Sequence, residues 1–289
     1  MAPLVTMSRH PRIVLLTADQ RRHRAAASQL ARALDLRGIV SEAKANPLPA
    51  PEGVPPEDRV VLERHIAERD ATERRLLGDP LFPSAPLLEV PRRGVNGPEV
   101  LAWVRERAPD ILVLYGTSLI REPLLQAFAG RVVNIHLGLS PYYRGSGTNF
   151  WPLVNGEPEC VGATIHLAVA DVDAGPILGQ LRPRVTVGDR AHDMGTHTIV
   201  DAMAALSPLL AEWFGGRVAP QPQRHSGGRA YRRADVDAEA VRRMERNIAA
   251  GMIDDFARNH AVRCAAVPIV ELPAGLEIGA SGNREGAHA

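Results

Sequence analysis

The apolar run from Asp110 to Tyr115 (D-I-L-V-L-Y) places the tightest constraint on what this chain can fold into. It is hydrophobic on both faces, as a central strand of a parallel sheet must be when helices cover both sides. A segment opening at Asn96-Gly-Pro predicts a helix through Arg107 just before it. Upstream, Arg12 to Thr17 (R-I-V-L-L-T) reads as a second buried strand. A helix-like segment follows from Arg21 to Leu36, ended by Gly38, with a short extended piece near Ile39–Val40. Strand, helix and strand in that order open a parallel α/β sheet.

The same periodicities divide the rest of the chain. Asn46 to Pro56 is a proline-rich loop. Glu57 to Leu77 is strongly charged, with Val60, Val61, Ile66, Leu76 and Leu77 at loose helical spacing, and predicts an exposed helix. Pro80 to Pro91 is irregular or extended. A short helix is expected over Leu124 to Ala129, broken by Gly130, and a strand over Arg131 to His136. Val161 to Val169 and Ile177 to Val187 predict two more strands around a turn at Asp173–Pro176. Ala191 to Trp213 predicts a long amphipathic helix, Pro220 to Gly228 a linker, and Asp235 to Arg258 a helical C-terminal appendage. Residues 273–289 are poor in bulky groups and are expected to be disordered.

Charge and cysteine content exclude several classes of function. Lys and Arg number 34 against 33 Asp and Glu, and Lys44 is the only lysine. A net charge of +1 predicts no nucleic-acid partner. Cys160 and Cys264 are too few and too far apart for a zinc knuckle or a disulfide framework, and no metal site is expected. No apolar run reaches the roughly 18 residues of a membrane span, and the N-terminus lacks a signal-peptide core. The expectation is a cytoplasmic protein without a membrane partner.

Chemistry-bearing residues concentrate between 133 and 178. Asn134 and His136 stand two apart at the end of an apolar strand, so both project from one face. Ligands in open parallel sheets gather beyond the carboxyl ends of strands. Read singly, Asn134 is a strand-end turn former and His136 a polar cap; read together they are candidate reactive groups. Tyr142-Tyr143-Arg144-Gly145-Ser146-Gly147 adds a glycine-rich turn that lets backbone approach a ligand. Neither G-x-x-x-x-G-K-[ST] nor G-x-G-x-x-G occurs in a suitable place, which argues against nucleoside triphosphate or NAD chemistry. Asp171 and Asp173 are again two apart. They read as turn-stabilising aspartates, as a metal-binding pair, or as one carboxylate tuning the imidazole.

The motifs N-I-H (134–136), S-P-Y-Y-R-G (140–145), N-G (155–156), V-G-A-T-I-H (161–166) and D-V-D-A-G-P-I-L (171–178) together resemble the folate-dependent formyltransferase family. The resemblance is dense over 130–180 and looser over 10–40, 98–130 and 190–215. It implies a Rossmann-like α/β fold with a mostly parallel sheet flanked by helices. It also implies a catalytic domain over 10–218, with a linker and helical appendage over 219–272. The family's catalytic Asn–His–Asp set falls on Asn134, His136 and Asp173. Its folate pocket falls on Ser118, Leu119 and Ile120, bordered by Asp171. The implied reaction is attack of an amine on the formyl carbon of 10-formyltetrahydrofolate through a tetrahedral intermediate. Asn134 and His136 would donate hydrogen bonds to the oxyanion, and His136, or Asp173 through water, would carry the proton.

The resemblance narrows the acceptor by elimination. After the first strand this chain has Thr17-Ala-Asp-Gln-Arg-Arg, and an acid at Asp19 makes a poor phosphate cradle, although Arg21 and Arg22 admit an anionic acceptor. The C-terminal region is not expected to hold the β-barrel of the tRNA-modifying members, nor residues 1–11 the regulatory domain of the hydrolases. The expected acceptor is a primary amine on an amino sugar, an amino acid or a specialised metabolite. A 10-formyltetrahydrofolate hydrolase and a non-catalytic folate-binding protein are the alternatives. Segment 46–91 and the C-terminal helix are expected to serve acceptor selection or homodimer contacts.

Overall fold

The computed structural model describes residues 10–44, 53–223 and 228–276. Its frame is an α/β sheet of seven strands. They are β1 (Arg12–Ala18), β2 (Asp35–Glu42), β3 (Leu87–Val90), β4 (Ile111–Leu114), β5 (Val132–His136), β7 (Ala163–Leu167) and β8 (Ile177–Leu181). A separate pair joins β6 (Tyr143–Gly145) to β9 (Arg229–Tyr231). The order across the large sheet is β3-β2-β1-β4-β5-β7-β8. The first five strands run parallel, and β7 and β8 pair antiparallel at one side. Order reverses between β1 and β4, where ligands bind in open sheets of this kind.

Both faces of the sheet are apolar for the reason legible in β1 and β4. Ile13, Leu15, Ile111 and Val113 pack to one side, while Val14, Leu16, Leu112 and Leu114 pack to the other. Helices cover each face: α1 (Arg21–Ala33) and α6 (Ala191–Phe214) on the first, α3 (Pro98–Glu106) and α4 (Leu124–Ala127) on the second. Arg12 locks the start of β1 to that of β4, its guanidinium donating to Asp110 at 2.9 and 3.1 Å.

Several boundaries differ from expectation. The first helix stops at Ala33, and Asp35 to Gly38 join β2. Pairing with β1 decides this, since Asp35 and Leu36 lie opposite Arg12 and Ile13. Helix α2 (Pro56–Leu77) matches the charged segment, but Val61 and Leu62 are buried. They pack on Ala238 and Val241 of α7 (Ala238–Ala249). The expected helix over Asp235 to Arg258 is broken by Gly251, whose φ of 86° suits glycine, and continues as α8 (Met252–Arg258) and α9 (His260–Ala265). Helix α5 (Trp151–Asn155) and the β6–β9 pair had no clear periodicity. The loop expected at 46–56 lies outside the described residues as far as residue 52, and Pro56 already begins α2. Of the tail, 277–289 lies outside them too, while Leu276 closes a turn on Pro273 and packs against the core. Among the described residues no helix is long and apolar enough to cross a membrane.

Candidate active site

A cavity of about 680 Å³ opens beyond the carboxyl ends of β1, β4 and β5, within the range of roughly 300–1,000 Å³ typical of small-molecule sites. The strand ends supply Asn134 and His136 along one wall, and the loop after β7 brings in Asp171 and Asp173. Faces of α2 and α6 close the opposite wall with His65, Arg69, His192 and Thr196. The fold thus brings Asp173 against Asn134, 39 positions earlier, and against His136.

Asp173 is the hub of this group. Its Oδ2 lies 3.3 Å from His136 Nδ1 and accepts from the Gly145 backbone N–H at 3.0 Å. Its Oδ1 accepts a long hydrogen bond, 3.4 Å, from Asn134 Nδ2 and lies 3.7 Å from His166 Nε2. Burial pushes this carboxyl up. His166, His136 and the Gly145 N–H outweigh that effect and hold it at about 2. Asp173 is therefore a fixed negative charge at neutral pH and far too weak a base to keep a proton there. His136 is 6% exposed. Burial lowers its pKa below the ordinary imidazole value, and the Asp173 charge offsets this only in part.

Asn134 is less buried than His136 and turns its amide into the same space. Its Nδ2 lies 3.0 Å from His166 Nε2, and His166 Nδ1 donates to the Leu167 carbonyl at 2.9 Å. The same nitrogen makes only a long contact, 3.4 Å, with Asp173 Oδ1. His166 is a site residue that sequence reading did not single out. Its signal lay in the alternation of V-G-A-T-I-H, and the β5–β7 register sets it directly opposite Asn134.

The loop carrying Asp173 is held tightly. Asp173 itself adopts φ +51°, a left-handed conformation that Asp tolerates better than most residues. Gly175 packs so closely that a Cβ there would lie 1.7 Å from the Leu167 carbonyl oxygen. Gln223 donates to the carbonyls of Asp173 and Gly175 at 2.8 and 2.9 Å, fastening the loop from the linker side. Nothing local in the sequence marked Gln223 for this, since the contact spans fifty positions.

Ser118, Leu119, Ile120 and Asp171 all line the same cavity. The buried carboxylate of Glu42, at the end of β2, accepts the Ser118 N–H at 2.6 Å. That group is thereby committed to ordering the loop rather than to a ligand. Leu119 is exposed, as are Val169 and Val172 across the opening, so the mouth is flanked by apolar side chains. Arg21 turns away from the cavity to Asp79 and Asp70. Arg22 lines the cavity, but its guanidinium is bound to Glu73 at 2.6 Å.

An open α/β sheet thus holds an amide, an imidazole and a carboxylate together beyond the carboxyl end of β5. The chain matches the formyl transferase family profile over residues 60–207, just over half its length, and belongs to that family. It is 36% identical over 117 residues to phosphoribosylglycinamide formyltransferase of Escherichia coli (strain K12), a match covering 40% of this chain and 54% of that protein. The chain thus spans about half the length of that relative. The structure of glycinamide ribonucleotide transformylase 1 from Symbiobacterium toebii aligns with a TM-score of 0.52 at 18% identity, covering 77% of this chain and 96% of that one. A sugar N-formyltransferase from Shewanella sp FDAARGOS_354 aligns with a TM-score of 0.50 at 16% identity, covering 78% of each. These two likenesses show the shared fold. The family match begins inside α2.

Proposed function

We propose that this chain transfers a formyl group from 10-formyltetrahydrofolate to a primary amine of a small molecule, such as an amino sugar, an amino acid or a specialised metabolite. The observation that carries this reading is Asp173, which joins His136 and Asn134 in one cavity. The donor supplies the formyl carbon and an apolar-flanked ring system. The fit rests on the mouth formed by Leu119, Val169 and Val172, with loop 118–120 held by Glu42 and Asp171 at the border.

The residues divide the work by charge. Asn134 donates its weakly engaged N–H to the formyl oxygen as negative charge develops there. His136 takes the proton released by the attacking amine, because a carboxyl held at about 2 cannot. Asp173 orients the imidazole and stabilises the cation it becomes. Asn134 is assigned as the first oxyanion donor and His136 as the proton carrier, which becomes a second donor once it is an imidazolium; no side chain serves as nucleophile. Residues 10–218 form the proposed catalytic unit, and 219–272 the linker and helices that brace it through Gln223 and α7.

Mass spectrometry of reactions with 10-formyltetrahydrofolate and a pool of amino sugars and amino acids tests this. A product heavier by one formyl group, absent with His136→Ala, is the expected result. Formate and tetrahydrofolate without any formylated amine would indicate a hydrolase instead.

A further inference from the structure

We propose that Arg229 and Tyr231 of β9 are positioning residues for the reaction: acting through β6, they set where the His136–Asp173 pair stands. This inference rests on the formyl-transfer reading above and concerns the backbone that holds the pair from behind.

Strand β6 has two working edges. Along an extended strand, successive residues direct their N–H and C=O groups to opposite sides. Toward β9, the Tyr142 carbonyl accepts from the Arg229 N–H at 2.9 Å, and the Ser146 N–H donates to the Tyr231 carbonyl at 2.8 Å. Residues 143 and 145 face the other way. There the Tyr143 carbonyl lies 3.1 Å from His136 Nε2, and the Gly145 N–H donates to Asp173 Oδ2 at 3.0 Å. Both members of the pair are thus held by a three-residue strand whose sheet partner among the described residues is β9.

A two-stranded ribbon this short is not stable by itself, so side chains must fix it. At the first register pair, Arg229 donates to the Tyr143 hydroxyl at 2.7 Å and to Glu157 at 2.6 Å. At the last pair the backbones touch: a Cβ on Gly145 would lie 2.2 Å from the Tyr231 carbonyl oxygen. The Tyr231 ring stacks on Trp151 of α5, with 4.2 Å between centroids and 8° between planes. Asn155 of the same helix donates to the hydroxyls of Tyr231 and Tyr143, each at 3.0 Å, and so ties the two anchors together. Tyr231 lines the cavity, but Arg229 lies outside its lining, as does Gly228. Gly228 sits so close to β6 that a Cβ would fall 1.4 Å from the Pro141 carbonyl oxygen. Gly228→Ala therefore forces β9 and β6 apart from a point that no substrate in the cavity touches.

The groups facing His136 give the test its direction. Burial lowers its pKa, the Asp173 charge raises it, His166 lowers it, and the Tyr143 carbonyl raises it. Displacing β6 withdraws that carbonyl. The titration midpoint of His136, followed by NMR in the full chain labelled at histidine and assigned with His136→Gln, should move toward acid in Gly228→Ala, Tyr231→Ala and Arg229→Leu. Tyr231→Phe keeps the stack and should bring the midpoint back toward wild type. Arg246→Leu, in an exposed ion pair with Glu239 on α7, should leave it unmoved. Turnover of 10-formyltetrahydrofolate with the pool of amino sugars and amino acids should fall about 10²-fold in Gly228→Ala and Tyr231→Ala, the cost of misplacing reacting groups by about 1 Å, with the donor KM within about twofold. Arg229→Leu loses hydrogen bonds at one end only and should fall about tenfold. The Arg229 side chain is half exposed, so this variant is expected to fold even where Gly228→Ala does not, as circular dichroism checks. An unmoved midpoint, or normal turnover, in folded Arg229→Leu and Tyr231→Ala would overturn the proposal. A midpoint moved toward alkali would do the same. If the wild-type protein formylates no amine, the transfer reading fails separately, and the His136 titration alone decides whether β9 positions the pair.

Discussion

His136 and Asp173 meet at 3.3 Å through Nδ1 and Oδ2, while the other ring nitrogen of His136 lies 3.1 Å from the Tyr143 carbonyl oxygen. Both nitrogens thus face acceptors. Either neutral tautomer leaves one lone pair against an oxygen, and only the imidazolium satisfies both. Burial opposes that cation. The ring is therefore balanced between a solvation penalty and two waiting acceptors.

This balance has a pH signature. His136 must be neutral to accept a proton, so kcat/KM should rise with pH through an inflection below 6.5, the ordinary value from which burial lowers it. Asp173→Asn removes the charge that raises the His136 pKa, so the inflection should move further toward acid while the rate falls about 10²- to 10⁴-fold. An unmoved inflection in that variant would separate Asp173 from the proton path.

Asn134→Ala should lower kcat by about 10²- to 10³-fold, the usual consequence of losing one oxyanion donor. Its partner His166 keeps the bond to the Leu167 carbonyl, so the fold should hold. Circular dichroism and folate binding, both near wild type, would show that the lost rate belongs to the chemistry.

The loop geometry predicts a contrast between two variants. Gly175→Ala drives a methyl group onto the Leu167 carbonyl, which forces the loop to move and displaces Asp173. Activity should be almost abolished. Gln223→Ala removes two hydrogen bonds of about 0.5–1.5 kcal/mol each, so kcat/KM should fall by roughly tenfold, with loop protection against hydrogen exchange reduced over 171–176. Equal, mild effects of both would mean that the loop is not held as described.

Acid should destabilise the protein in two stages. Burial holds His65 at about 4 and His192 at about 3, below the 6.5 expected in the unfolded chain. Unfolding therefore takes up protons as pH falls below 6.5, and stability declines through that window. Asp173, held at about 2 against an ordinary 3.8, adds a further loss as pH falls from near 4 toward 2. Tm measured from pH 7 to pH 4 should fall, and His192→Gln should flatten the slope.

How much of this was legible differs from element to element. The strands β1, β4 and β5 announced themselves because burial on both faces leaves an unbroken apolar run, which no other arrangement of a short segment explains as simply. Asn134 and His136 were legible as a pair because a strand period of two writes local geometry directly into spacing, whereas Asp173 was singled out through the family resemblance of its motif. The end of α1 was not, because residues 35–38 are strand only by virtue of lying beside β1. Nor was the burial of Val61 and Leu62, which depends on α7 arriving from the far end of the chain.

The sequence by itself determined the α/β class and the order of most elements, since each depends on residues close together along the chain, and its motifs marked Asn134, His136 and Asp173 as candidates by resemblance. Only the tertiary structure decided which groups answer one another across it. His166 became Asn134's partner through antiparallel pairing, Glu42 took the Ser118 N–H, Gln223 fastened the Asp173 loop, and Arg22 was bound by Glu73 at the cavity wall. The physical reason is common to all four: hydrogen bonding and desolvation act over a few ångströms of space, and distance along the chain does not reveal that space until the sheet has assembled.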